Sequence, residues 1–202
     1  MNNHRKRALV AALPLAVALG LAGCANVTAG PGSMPGMDHG SPMPSSSATS
    51  VSMADQMFVT MMIPHHQQAI EMSELILEKD GVDTRIVELA ERIKAAQGPE
   101  IELMQGWLDD WGVPHDPDAS GGMDHGDGMM SEADMTALRE AAGPEAGRLF
   151  LEQMIAHHEG AVEMAEAVLS DGQDPDVLAL AERIIDDQTA EIAEMQGLLA
   201  GV

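Results

Sequence analysis

One block of residues occurs twice in this chain, and the repetition limits what the chain can fold into. Met62, His65, His66, Glu71, Met72 and Glu74 return at a constant offset as Met154, His157, His158, Glu163, Met164 and Glu166, and Phe58 returns as Phe150. Farther on, Leu89, Glu91, Arg92, Ile93, Gln97, Glu100, Met104 and Gln105 return as Leu180, Glu182, Arg183, Ile184, Gln188, Glu191, Met195 and Gln196, after a slip of one residue in the turn. Each copy therefore holds two tracts joined by a short turn. The tracts are rich in Ala, Leu, Met, Glu and Ile, aromatic residues make up 2% of the chain, and strand-type alternation is hard to find, so the tracts are helices. Two similar helical hairpins that each bury one stripe bury it most simply against each other. The expected fold is all-α, an antiparallel four-helix bundle with approximate two-fold symmetry.

Ser52 with Asp55 three residues later has the capping-box pattern, and an apolar-periodic run follows to about Lys79. At about 100° per residue, His65 shares a face with Phe58, Met61, Met62, Ala69, Met72 and Ile76, and His66 lies at its border beside Met62 and Ser73. Pro64 falls inside this run and predicts a kink just before the histidines. Asp80 to Asp83 is a turn, and a second helix spans 84–111 with the stripe Ile86, Leu89, Ile93, Gln97, Glu100, Met104, Leu108 and Trp111. Its two polar members need partners on the facing helix or a metal. A Gly/Pro/Asp-rich linker at 112–130 is followed by a short helix at 131–142. The second hairpin occupies 144–200, opened by Pro144 in the favoured first-turn place and divided before Pro175. The folded domain is thus 52–202, with hairpin one at 52–111.

A methionine stripe at helical spacing usually fills a core, which suffices for Met57, Met61 or Met135 alone. Adjacent histidines repeated in both hairpins, with Met at matching offsets, ask for more. Thioether and imidazole together select Cu(I) or Ag(I), whereas zinc prefers thiolate, imidazole and carboxylate. Glu100 and Glu191 are expected to accept hydrogen bonds from imidazoles, with Gln97 and Gln188 beside them as supporting groups. Two other classes compete. A ferritin-type oxidase would need inward Glu-x-x-His pairs, which this chain lacks, and His158-Glu159 begins a zinc-protease motif without its second His. A metal-free structural or sensory bundle would have its histidines hydrogen-bonded to backbone. No nucleophile triad or phosphate loop is present, so the expectation is a binding protein and not an enzyme.

The first residues read as an export signal: a basic Arg5–Arg7 and an apolar run from Ala8 to Leu19. Leu21-Ala22-Gly23-Cys24 resembles the bacterial lipobox, which makes 1–23 a lipoprotein signal and Cys24, the single cysteine, the lipid-bearing first residue of the mature chain. The protein is then tethered to the outer face of the cytoplasmic membrane. Residues 24–51 form a Gly/Pro/Ser/Met stalk. Lys and Arg total 10 against 33 Asp and Glu, a formal charge of −23; removing Arg5, Lys6 and Arg7 leaves 7 against 33, about −26. That field excludes nucleic acid as a partner and attracts small cations. The pentapeptide Gly-Met-Asp-His-Gly stands in both the stalk and the linker, offering Met37 and His39, then Met123 and His125, as auxiliary ligands that also accept Cu(II).

The His-His, Glu-Met and downstream Gln-x-x-Glu-x-x-x-Met patterns resemble the CopM-type copper-binding family, ferritin-like helical bundles also known as domain of unknown function 305. The resemblance covers about Ser52 to Leu199. Carried over by position, it implies the metal groups His65, His66, Met62, Met72 and Met104, then His157, His158, Met154, Met164 and Met195. Gln153 stands where the first copy has Met61, a departure from equivalence. The function implied is sequestration of copper, Cu(I) above all, or its delivery to a protein partner.

Overall fold

The computed structural model describes residues 51–114 and 128–201, all within one compact unit, Ser46–Val202. The leader, Cys24, most of the stalk and the two Gly-Met-Asp-His-Gly segments lie outside the described residues. Five helices and no strands are seen among those described: α1 (Met53–Leu77), α2 (Thr84–Trp111), α3 (Glu132–Glu140), α4 (Gly143–Asp171) and α5 (Pro175–Leu199). None is long and apolar enough to cross a membrane.

Local chemistry sets the helix ends. Ser52 and Asp55 form a capping box on α1, and Ser131 and Asp134 form another on α3. Asp83 and Asp174 cap α2 and α5. Gly112 closes α2 with φ of 66°, the left-handed conformation that glycine adopts at least cost. Pro64 and Pro99 both sit inside continuous helices, so burial of the flanking apolar residues outweighs the lost backbone hydrogen bonds.

α1 packs on α2, α4 packs on α5, and the two hairpins meet chiefly where α1 crosses α4. The contacts at the ends make α1 and α4 antiparallel. At the start of α1 the buried Asp55 carboxylate accepts from the backbone N–H groups of Gln173 (3.0 Å) and Asp174 (3.2 Å), in the turn after α4. The same carboxylate accepts from Ser52 N at 2.9 Å. At the start of α4 the repeat-related position is Gly147, where a Cβ would come within 2.9 Å of Ile86 Cδ1 and 3.3 Å of Val82 Cγ1. Each hairpin's turn is therefore gripped by the other's first helix, once by a carboxylate and once by close packing.

Among the described residues α3 has no counterpart in the first half. It lies over α1 and α4, burying Met135 and Leu138 beside Met72, Phe150 and Met154. Lys79 Nζ donates to the carbonyls of Arg139 (2.9 Å) and Ala141 (2.8 Å) at its C-terminal end, where a cation complements the helix dipole. Just before α3 the Gln68 amide clasps Met130, donating to its carbonyl at 2.9 Å and accepting from its N–H at 2.6 Å. Gly128, with φ of 78°, presses on α4 so closely that a Cβ there would lie 2.6 Å from Ala156 O and 2.9 Å from Gly160 Cα.

The Asp55 contacts have a pH signature. Burial alone would raise its pKa, but the donors from Ser52, Gln173 and Asp174 outweigh that and leave it below the ordinary 3.8. The stability it contributes is complete above about pH 4 to 5 and is lost as pH falls through the lowered folded-state value. Asp55→Ala should cost about 2 kcal/mol at pH 7 and flatten the acid limb of a pH–stability curve from chemical denaturation.

Candidate metal centre

Histidines at successive positions of one helix point about 100° apart, so each pair divides its work. His65 and His157 face each other where α1 crosses α4, their ring centroids 3.8 Å apart and inclined by 40°. His66 and His158 turn away toward the outer helices. His66 Nε2 lies 2.8 Å from Glu100 Oε2 of α2, and His158 Nε2 lies 2.7 Å from Glu191 Oε2 of α5. The two contacts are related by the pseudo-two-fold axis. All four imidazoles are buried, while the two glutamates remain about one-fifth exposed, at 22% and 21%.

These carboxylates decide the chemistry of the rings they touch. A carboxylate accepts, so in the neutral ring Nε2 carries the proton and Nδ1 carries the lone pair. Nδ1 of His66 and of His158 is buried with no hydrogen-bond partner, and so are both ring nitrogens of His157. Burial holds the His157 imidazole well below the ordinary histidine range, and the neighbouring His65, His158 and His66 rings push the same way. His157 is therefore neutral at physiological pH. Gln97 and Gln188 are buried, with Oε1 atoms that have no hydrogen-bond partner. An unpartnered buried acceptor costs about 1–3 kcal/mol, so a group of them is tolerated where a ligand can meet them.

The methionines divide in a way the helical wheel does not show. Met62 and Met104 belong to one apolar cluster, with the half-buried Met164 packed against it. Met154 and Met195 belong to the other, with Met72 and Met135. Met62 and Met72 are ten residues apart on α1, about 15 Å along the axis, so one ion cannot touch both. Each cluster thus combines two methionines of one half with the Glu-Met methionine of the other, and the imidazole layer lies between them. Met164 is less buried than its repeat partner Met72 because α3 covers only the second. Nothing in the repeat could reveal this, since α3 lies outside the repeated tracts; Met135, also outside them, is 4% exposed and packs with Met72.

Among the described residues, no group of three or more His, Cys, Asp or Glu is arranged to hold a metal ion. What the interior offers is imidazole nitrogen and thioether sulfur in small numbers. Such donors suit a soft monovalent ion that accepts low coordination.

The same architecture is found in other proteins. A DUF305 fragment from Deinococcus radiodurans is 34% identical, with a TM-score of 0.68 over 75% of this chain and 99% of its own. A DUF305 protein from Streptomyces coelicolor, described as a candidate secreted protein, is also 34% identical, with a TM-score of 0.66 over 73% of this chain and 91% of its own. CopM in its Cu(I)-bound form is 35% identical, with a TM-score of 0.61 over 73% and 96%, and CopM has also been solved with Cu(II) and with silver. No curated protein matches the chain. The family described as a domain of unknown function, DUF305, matches residues 55–199, nearly the whole of the bundle, and the chain belongs to that family.

Proposed function

We propose that this protein binds copper, Cu(I) in preference to Cu(II), inside the helical bundle, and holds it or hands it on outside the cytoplasm. The observation that carries the reading is the state of His66 and His158: Nε2 tied to a glutamate, Nδ1 buried without a partner. The glutamate fixes ring orientation and leaves Nδ1 facing the interior, as outer partners of metal-ligating histidines do. It also brings a negative charge close to where a cation would sit. His65 and His157 complete a layer of four imidazoles, and Met62, Met104 and Met164 on one side, with Met154, Met195 and Met72 on the other, supply thioethers. CopM, which shares this bundle, has been solved with Cu(I), Cu(II) and silver, which supports copper as the ion.

The activity is capture. Ions enter and leave by ligand exchange, with no bond of a substrate made or broken. The stalk set Met37 with His39 and the linker set Met123 with His125 act as weaker collectors that also accept Cu(II), through an oxygen from Asp38 or Asp124.

Titration of the full chain with Cu(I), Ag(I), Zn(II) and Fe(II), read by native mass spectrometry, should give tight binding of the monovalent ions alone. His66→Ala or His158→Ala should weaken it about a hundredfold or more, Glu100→Gln or Glu191→Gln by about tenfold to a hundredfold, and Met135→Leu hardly at all. A loss from Met135→Leu as large as that from the histidine variants would overturn the placing of the site at the imidazole layer. A chain that takes up neither Cu(I) nor Ag(I) would be a metal-free structural bundle.

Export and anchoring follow from the basic, apolar leader and from Leu21-Ala22-Gly23-Cys24, and the related Streptomyces protein supports export. Cys24→Ser should remove lipid attachment and move the protein from the membrane fraction to the soluble one; full retention of the mutant would overturn anchoring at this cysteine.

A further inference from the structure

Met53, Met57, Met61 and His65 follow one another along α1 in steps of four residues. Four residues advance a helix by about 6 Å and turn it by about 40°, so this line of side chains winds slowly from one face to the next. Exposure falls along it in order. Met53 is 78% exposed and Met57 60%, Met61 is half-buried, and His65 is 1% exposed. Across from the stripe, α4 presents the half-buried Met164, and Met57, Met61 and Met164 line one open apolar groove together with Phe58 and Val168.

Single exposed apolar residues are ordinary, but the two-fold relation supplies an internal comparison. The positions related to Met53, Met57 and Met61 by the repeat are Glu145, Leu149 and Gln153. In that half α3 covers the groove, Gln153 donates to the Asp134 carbonyl at 3.0 Å, and Glu145 pairs with Arg148. The sulfurs occur where the groove is open. Where it is covered, the positions of Met57 and Met61 carry an aliphatic chain and an amide, and that of Met53 carries the exposed Glu145. Methionines kept for packing would be expected under the covering helix, not on the side that faces solvent.

We propose that Met53, Met57 and Met61, aided by Met164, form a loading ladder of thioethers that passes a soft monovalent ion, Cu(I) or Ag(I), from solvent to the imidazole layer at His65. The proposal rests on the copper-binding reading above. Residues four apart on a helix are neighbours, and the flexible methionine side chain lets two thioethers hold one ion during transfer. One metal–sulfur bond forms as the previous one breaks, and the charge and electron count of the ion do not change. Thioethers are neutral soft donors, so the ladder selects against Ca(II), Mg(II) and Zn(II), while the negative charge of the chain concentrates cations near it.

The test is the triple variant Met53→Leu, Met57→Leu, Met61→Leu in the full chain, since Leu keeps the approximate volume of Met. Loading with Ag(I) or Cu(I) at limiting metal is followed by stopped flow, and the affinity of the tight site by chelator competition. Loading should slow by about tenfold or more while the tight-site affinity and stoichiometry stay unchanged, because the ladder acts on the rate and not on the end state. In the parent protein, substoichiometric Ag(I) should shift the ε-methyl resonances of Met53, Met57 and Met61 in fast exchange. An unchanged loading rate in the variant would overturn the proposal, and so would loss of its tight site, which would make these sulfurs the final ligands. If the parent has no tight site, the copper reading fails; the methyl shifts then decide separately whether the stripe binds soft ions.

Discussion

The contact between His65 and His157 at the crossing of α1 and α4 is the constraint around which the rest of the bundle is arranged. Four imidazoles in an interior without bulk water are tolerable only if they are uncharged and held in fixed orientations. Two glutamates from the outer helices meet the second condition for His66 and His158, and burial meets the first for His157. The glutamates stay partly in contact with solvent, so the carboxylate is not itself stranded. The result is a polar layer whose outer edges are wet and whose interior holds the unpartnered Nδ1 atoms of His66 and His158 and the unpartnered ring nitrogens of His157.

Much of this was legible in the sequence, for a particular reason. The repeat of His65-His66 and Glu100 as His157-His158 and Glu191 fixed both the helical phase and the partner helix, because a Glu on an otherwise apolar stripe needs a donor opposite it. The Ser52–Asp55 box marked where α1 begins. What the sequence did not disclose was which methionines meet. A helical wheel sorts residues by angle and ignores height, so Met62 and Met72 looked like companions of one histidine although about 15 Å of helix separates them. Met62 meets Met104 of its own hairpin and Met164 of the other, and Met72 meets Met154 and Met195 of the other, through an antiparallel crossing that no periodicity records. Asp55 was legible only as a cap; its hold on Gln173 and Asp174 is a tertiary contact between residues more than a hundred positions apart. Pro64 stands inside α1, which continues as a helix on both sides of it.

The two halves are alike at the imidazole layer and unlike toward the ends. At Gly147 the first helix of the second hairpin grips a turn by shape, whereas at Asp55 its counterpart does so by charge. α3 then seals one flank and leaves the other open. The symmetry is kept where donors must converge and relaxed where the chain meets solvent or its own connections.

The clasp between Gln68 and Met130 bears on how such a duplicated gene can evolve. At the repeat-related place in the second half the residue is Gly160, and Gly128 lies against it with no room for a side chain. If recombination between the two copies made them identical with glycine at 68, both hydrogen bonds that hold Met130 would be lost. Gene conversion, which tends to homogenise tandem repeats, is therefore opposed at this point by the fold itself, and the two copies are committed to separate histories.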